Sequence, residues 1–308
     1  VSDDGNYTIS DGYFNRVEEI MGYALDNDMY VIVNIHYDGG WWGQFGACKE
    51  DADGNKFADE TKRAEAWKRY ERYWTQICDR FKDYSDHLIF EGANEELGDR
   101  LNDAIYESGY CVPKDDNDTK AISGNLTEDE RYEMANKINQ KFVDIVRSTG
   151  GNNAYRHLLI AGYDTNIDKT CDDKFKMPTD TAENGTTKLS VSVHYYTPWD
   201  FCGDGGSGIY TQKDKEATET YFTKMDKFYN AGYGIIMGEF SVCNPKQEGV
   251  AQWLNDTMTI AAKHHILPVL WETNQYMDKD NCKMRYNDIA VLYNTITGST
   301  GDTSSKIN

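Results

Sequence analysis

The stretch HLIFEGANEELG, His87 to Gly98, runs from a short apolar segment straight into three glutamates. Leu88 to Phe90 shows no apolar/polar alternation, which fits a strand covered on both faces, as in a parallel sheet. Its polar residues, Asn94 and Glu95, come where such a strand ends. Strand alternation places Glu91, Ala93 and Glu95 on one predicted face and Glu96 on the other. Glu91 then lies ~13 Å deeper than Glu95, at about 3.3 Å per residue. A carboxylate at that depth needs a buried partner or stays protonated. Glu95 is expected at the mouth, and Glu96 in solvent or as a helix-start charge.

The same unit recurs along the chain: MYVIVNIHY (Met29 to Tyr37), RHLLIAGY (Arg156 to Tyr163), KLSVSVHYY (Lys188 to Tyr196), GYGIIMGEF (Gly232 to Phe240) and HILPVLWET (His265 to Thr273). Helical patterns separate these runs. One places Trp67, Tyr70, Trp74, Ile77, Phe81 and Tyr84 at spacings of three and four, and another opens on the capping-box pair Thr127 and Glu130 and stops at Gly150-Gly151. No GxGxxG follows the first strand run and no GxxxxGK[ST] occurs, which argues against a doubly wound nucleotide fold. Instead every strand ends in polar or aromatic residues: His36, Asn94-Glu95, Tyr163-Asp164, His194 to Tyr196, Glu239 and Trp271-Glu272. Functional residues at the carboxyl ends of many strands are the habit of a (β/α)8 TIM barrel. The expectation is an α/β protein of that class with only strands 3 to 8 evident, the first two units being cleaved, omitted or supplied elsewhere. Residues 1–308 read as one catalytic domain with a polar tail over 298–308.

Among 308 residues, 52 are acidic and 32 basic, a net charge of −20 that repels phosphate backbones and anionic lipid. Nucleic acid and membrane are therefore poor partners. No apolar run reaches the ~18 residues a membrane span needs. Cys78 falls in a helical pattern and reads as a core thiol, whereas Cys48, Cys111, Cys171, Cys202, Cys243 and Cys282 fall in loops. Up to three disulfides in a secreted protein is one reading and free thiols the other. Sequons at Asn6, Asn117, Asn125, Asn184 and Asn255 lean mildly toward secretion.

Acetal hydrolysis needs two carboxyl groups in opposed roles, one protonated and one ionised. Glu239, ending IIMGEF, is the natural partner for Glu95, since 144 residues between them correspond to three further repeats. Together with NRVEEIMGYALDNDMYVIVNIHYDGGWW, RSTGGNNAYRHLLIAGY, SVHYYTPWDF and LPVLWET, these segments resemble glycoside hydrolase family 5 from about Tyr13 to Ile296. The resemblance implies a retaining β-glycanase of the cellulase type, an endo-β-1,4-glucanase acting on β-glucan, with no cofactor and no metal. It implies Glu95 as acid/base, Glu239 as nucleophile and Asn94 as a contact to the sugar 2-hydroxyl. It further implies His36 and His194 as polar groups lining the reacting subsite, Tyr196 as the residue orienting the nucleophile, and Trp271 as the platform beneath the sugar. The chain departs from the family in having Glu96 where proline usually follows Asn-Glu, and in showing no match for the arginine of an early strand.

Competing readings remain at this level. Xyloglucan, mannan or xylan are alternative substrates, and a carbohydrate-binding remnant without turnover is an alternative to an enzyme. His36 and His194 are also readable as core histidines, or with Glu239 as metal ligands. His87, His157, His264 and His265 fall where helices give way to strands and read as structural. Glu272 is either a subsite contact or a loop charge. Trp41, Trp42, Trp199, Phe201 and Tyr276 lie in loops after strands, where they line a polysaccharide cleft or pack in the core. Beyond the glycan, the missing N-terminal segment or further modules are the only partners the sequence suggests.

Overall fold

The computed structural model describes residues 1–2, 4–36, 40–180, 188–272 and 274–297, without the side chains of 293–297. The expected polar tail at 298–308 and the sequon at Asn184 lie outside the described residues.

Six strands form the main sheet: β1 (Val31–Asn34), β2 (Leu88–Glu91), β3 (Leu158–Ala161), β4 (Leu189–Tyr195), β5 (Gly234–Phe240) and β6 (Ile266–Leu270). Their order in the sheet is their order in the chain. Six main helices alternate with them: α1 (Asp11–Leu25), α2 (Glu60–Phe81), α3 (Glu128–Ser148), α4 (Gln212–Asn230), α5 (Val250–Lys263) and α6 (Asn287–Thr297). β1 pairs with β2, β2 with β3, and β5 with β6, each in parallel. The strand–helix repeat expected from the apolar runs is thus present in all six units. Contacts divide the chain into two compact units, one of residues 1–165 and 172–191, the other of 166–171 and 192–308.

In the first unit, the apolar stripe of α2 predicted its buried face. Tyr70, Trp74, Ile77 and Phe81 are all buried. Trp74 meets Phe90 of β2 at 5.7 Å and Phe142 of α3 at 4.6 Å. Its indole N–H and the Tyr70 hydroxyl both donate to the Gly92 carbonyl, at 3.2 and 2.9 Å. Gly92 is required there, since a Cβ would fall 2.8 Å from the Phe142 ring. Two helix side chains therefore pin the chain just before Asn94. The capping box at Thr127 forms as expected, the Thr127 hydroxyl accepting from the Glu130 N–H while the Glu130 carboxylate accepts from Thr127 N–H.

Arg156, at the start of the β3 segment, is a fixture that sequence pattern did not flag. Its guanidinium is buried, yet among the described residues no carboxylate is within ion-pairing distance. All five donors are used: Nε to Asn153 Oδ1 (2.8 Å), Nη1 to the Ser85 and Leu88 carbonyls (2.9 and 2.7 Å), and Nη2 to the Phe81 and Tyr84 carbonyls (3.0 and 2.9 Å). Burial lowers its pKa to about 10, so it stays charged at neutral pH. These bonds tie the end of α2 and the turn after it to β2 and β3. Arg156→Met is expected to leave four carbonyls short of a donor and to destabilise the fold by at least about 3 kcal/mol, read as a lower midpoint of urea unfolding.

In the second unit, Trp253 of α5 stacks on Tyr195 at the end of β4 (6.2 Å) and on Phe240 at the end of β5 (6.0 Å). Its N–H donates to the Thr197 carbonyl at 2.9 Å. One indole thus fixes the carboxyl ends of two neighbouring strands. The β5–β6 register shifts between Met237 and Phe240, so the pairing is irregular at Gly238 and Glu239. Such irregularities re-aim side chains and gather next to functional sites.

Of the two readings of the cysteines, disulfides find no support: no cysteine is bridged to another among the described residues. Cys78 is in the core, where burial pushes its thiol up to about 12. The loop cysteines face other groups, Cys48 Sγ lying 3.2 Å from the Ser123 carbonyl and Cys171 Sγ 3.5 Å from Met225 Sδ. Loop position alone says nothing about which thiols are brought within bonding distance.

Candidate active site

The first group of candidate residues follows β2. Strand pairing ends at Glu91, four residues short of Glu95, so simple alternation does not carry across Gly92 to Glu95. Glu91 is buried, and its partner is in this chain: Asn34 Nδ2 donates to Glu91 Oε2 at 2.9 Å. The two residues are direct neighbours in the β1–β2 register. Asn34 is thus a buried partner of the kind that a carboxylate at this depth needs.

Glu96 also departs from expectation. It is buried rather than solvated, and its carboxylate turns back to accept the Asn94 backbone N–H at 2.9 Å. A turn allows this where an extended strand would point the carboxylate away. Asn94 is itself buried, whereas Glu95 between them is partly exposed. The arrangement holds the flanking residues and presents Glu95. Glu96→Ala leaves the buried Asn94 N–H without its acceptor and is expected to cost about 1–2 kcal/mol of stability. Glu96→Gln, which keeps an acceptor oxygen, should restore most of it, and thermal unfolding of the two variants checks this.

Beyond Glu96 the loop is braced on residues after β3. Tyr163 hydroxyl donates to Asp99 Oδ1 (3.0 Å) and accepts from Arg131 Nε (3.0 Å), and Asp99 N–H donates to Asp164 Oδ1 (2.8 Å). Asp164 sits at φ 50°, and Gly98 packs so closely that a Cβ would fall 2.0 Å from Asp164 Oδ1. Tyr163 and Asp164, noted only as a polar strand end, are thus supports for the glutamate-bearing loop.

His36 is exposed after β1 and lines, with Asn34, Tyr73 and Tyr110, a cavity of about 290 Å³. Trp41 and Trp42 are a correction. Both are buried, stacked on each other at 4.7 Å and packed on Tyr73 and Tyr70. They are core residues and offer no surface to a glycan. Phe201 and Tyr276 are buried likewise, the Tyr276 hydroxyl donating to the Val242 carbonyl at 2.9 Å.

The second group clusters at the ends of β4 and β5. Glu239 is buried, and its Oε2 accepts from the Tyr196 hydroxyl at 2.8 Å. The same oxygen lies 3.5 Å from His194 Nδ1. One carboxylate oxygen is therefore bonded by a phenol and faced by an imidazole, which restricts the rotamer of this side chain. Trp199 meets Tyr196 edge-on at 6.4 Å and is 66% exposed, so of the five loop aromatics it alone keeps an open face. Trp271 is partly exposed, with its backbone N–H donating to the Phe240 carbonyl at 3.0 Å. Glu272 is a brace for its own loop: its carboxylate accepts from the N–H groups of Asn274 and Tyr276.

The four remaining histidines are structural, as expected. His157 contacts Ser190 Oγ at 2.6 Å, His264 lies between Asp226 and Glu219, His265 stacks on Tyr229, and His87 on Tyr30.

Parallel β/α repeats with carboxylates and aromatics at the carboxyl ends of successive strands define a TIM-barrel-type protein. Comparison with known proteins narrows the class. Residues 1–277 match the model of the cellulase family, glycosyl hydrolase family 5, and the chain belongs to that family. It is 30% identical to endoglucanase A of Paenibacillus barcinonensis, over 87% of this chain and 66% of that protein. It is also 30% identical to a xyloglucan-specific endo-β-1,4-glucanase of Bacteroides ovatus, over 90% of this chain and 52% of that protein. The chain thus spans roughly half to two thirds of these relatives. Among solved structures, a family 5 lichenase from Caldicellulosiruptor aligns with a TM-score of 0.74 at 26% identity, covering 97% of this chain and 77% of that one. A broad-specificity endoglucanase from Ruminococcus champanellensis with bound cellotriose aligns at 0.73 and 28%, covering 96% and 78%.

Proposed function

We propose that this protein is a secreted endo-β-1,4-glucanase that cleaves β-glucan by double displacement with retention, Glu239 as nucleophile and Glu95 as acid/base. The observation that carries the reading is the held carboxylate of Glu239, one oxygen bonded by Tyr196 and faced by His194. A nucleophile must attack along one line, and a fixed rotamer supplies that line at no entropic cost during reaction. Glu95, partly exposed on a turn braced from both sides, suits a group that donates a proton to the leaving oxygen and then takes one from water. Retention requires the two carboxyl groups about 5–5.5 Å apart across the scissile bond. Asn94 beside Glu95 is suited to the sugar 2-hydroxyl, Trp199 and Trp271 to stacking on pyranose faces, and His36 to a flanking contact. Secretion follows from substrate size, since an insoluble polymer is met outside the cell.

Relatives named for endoglucanase, xyloglucanase and lichenase activities support a β-glucan backbone over mannan or xylan. The test is reducing-sugar release from carboxymethyl cellulose, lichenan, xyloglucan, mannan and xylan, with product anomers followed by NMR. β-Anomeric first products from a glucan support the reading. Activity confined to mannan or xylan overturns its substrate, α-anomeric first products its mechanism, and binding without turnover would favour a carbohydrate-binding role.

A further inference from the structure

The stretch GDGGSG, Gly203 to Gly208, follows β4 and has the spacing GxGxxG. In a nucleotide loop of that spacing the backbone N–H groups face a phosphate at a helix N-terminus. Here they are used inside the loop. Gly203 N–H donates to the Trp199 carbonyl (2.8 Å), Gly206 N–H to that of Gly203 (3.0 Å) and Gly208 N–H to that of Asp200 (2.8 Å). The glycines let the loop wrap closely around the single helical turn Trp199–Cys202. A Cβ at Gly206 or Gly208 would fall 2.8 or 2.9 Å from the Asp200 carbonyl oxygen.

Gly203 bears most directly on the site. A Cβ there would fall 2.5 Å from Trp199 Cε2 and 2.8 Å from Cδ2, and 2.7 Å from the Trp199 carbonyl oxygen. Cε2 and Cδ2 are the carbons shared by the two indole rings, so an atom nearest to both stands over the ring face. One face of the indole is therefore seated on Gly203, and with Trp199 66% exposed the other face is open. Gly203 has φ −73° and ψ 168°, which any residue adopts, so the close approach of the ring is what requires glycine. The loop is anchored beyond the seat. Gln247 Nε2 donates to the Gly208 carbonyl (2.8 Å), and the Tyr210 hydroxyl donates to the buried Asp256 carboxylate (3.2 Å). Tyr196 meets the indole edge-on at 6.4 Å and donates to Glu239. We propose that Gly203 is a positioning residue for glycan binding, fixing the tilt of the Trp199 ring so that a pyranose stacks in register with Glu239. This rests on the reading of Trp199 as a stacking platform. A ring already held in place loses no rotamer freedom when a sugar docks, whereas a displaced one presents a misaligned face.

The test uses the chain labelled with 5-fluorotryptophan, the Trp199 fluorine resonance being assigned by its loss in Trp199→Phe. Gly203→Ala is expected to shift or broaden that resonance and to weaken cellotetraose, in calorimetry, by at least about fivefold. Trp199→Ala should weaken it by at least about tenfold, and Gly203→Ala should add less than about twofold in that background. An unmoved resonance, an unchanged affinity in Gly203→Ala, or a loss that adds in full to that of Trp199→Ala overturns the proposal. Where Gly203→Ala fails to fold, the double variant decides. Recovered folding shows that the ring is what the Cβ meets, and continued failure overturns the seat. Mannotetraose and xylotetraose separate this proposal from the reading beneath it. Binding of either in place of cellotetraose overturns the β-glucan substrate, and the seat is then read with that sugar. Binding of none of the three overturns platform and seat together.

Discussion

Glu239→Gln is expected to lower glucan hydrolysis by at least ~10³-fold, about 4 kcal/mol of transition-state stabilisation. The amide is nearly isosteric and still accepts the Tyr196 hydroxyl, so the pocket of Tyr196 and His194 is preserved while the nucleophile is lost. Because the defect is in the first displacement, a better leaving group does not rescue it. Dinitrophenyl cellobioside should be as refractory as carboxymethyl cellulose. Substrate affinity should hardly change, so the loss falls on kcat. Residual activity above a few per cent of wild type on either substrate, in a protein with unaltered thermal unfolding, would exclude Glu239 as the nucleophile.

Glu95→Gln should fail differently. Proton donation by a positioned acid contributes about 10²–10⁴-fold, and it matters only where the leaving oxygen needs the proton. Polymer hydrolysis is therefore expected to fall by at least ~10²-fold. The first displacement on dinitrophenyl cellobioside, whose leaving group departs as a stable anion, should survive as a burst of dinitrophenol followed by slow turnover. Added azide, which needs no general base to attack, should then speed turnover. Equal loss on both substrates, without burst or azide effect, would remove Glu95 from the acid/base role. The contrast between the two variants is the stringent test, since a merely structural carboxylate would show neither pattern.

The two readings of Glu95 and Glu96 illustrate where sequence reasoning holds. Leu88 to Phe90 and Ile235 to Met237 are covered on both faces, and their lack of alternation showed it directly. The α2 stripe was equally legible, since burial along a helix repeats every three or four residues. Past Glu91 the backbone leaves the strand, and the two-residue period that had ranked the glutamates no longer applies. Glu96 consequently looked exposed, when its carboxylate is folded inward onto Asn94. The only sequence signal was that it replaces a proline: losing that fixed turn leaves room for another device to shape it.

The loop aromatics make the same point from the other side. Trp41, Trp42, Phe201, Tyr276 and Trp199 are indistinguishable by local pattern, yet four are buried and one is open. Their fates depend on partners far along the chain, such as Tyr70 and Tyr73 beneath the tryptophan pair. Cysteine pairing failed for the same reason, because a disulfide depends on distance in space rather than placement in loops.

By itself, then, the sequence determined the order of strands and helices, the parallel sheet, and the strand-end residues among which Glu95 and Glu239 stand. These follow from periodicity, which records burial element by element. Only the tertiary structure decided that Glu91 is bonded by Asn34, that Glu239 is held by Tyr196, and that Arg156 spends all five donors. Those outcomes rest on polar groups meeting across dozens of residues. A side chain's hydrogen-bonding capacity is written in the sequence, but whether it is met depends on what the fold brings beside it.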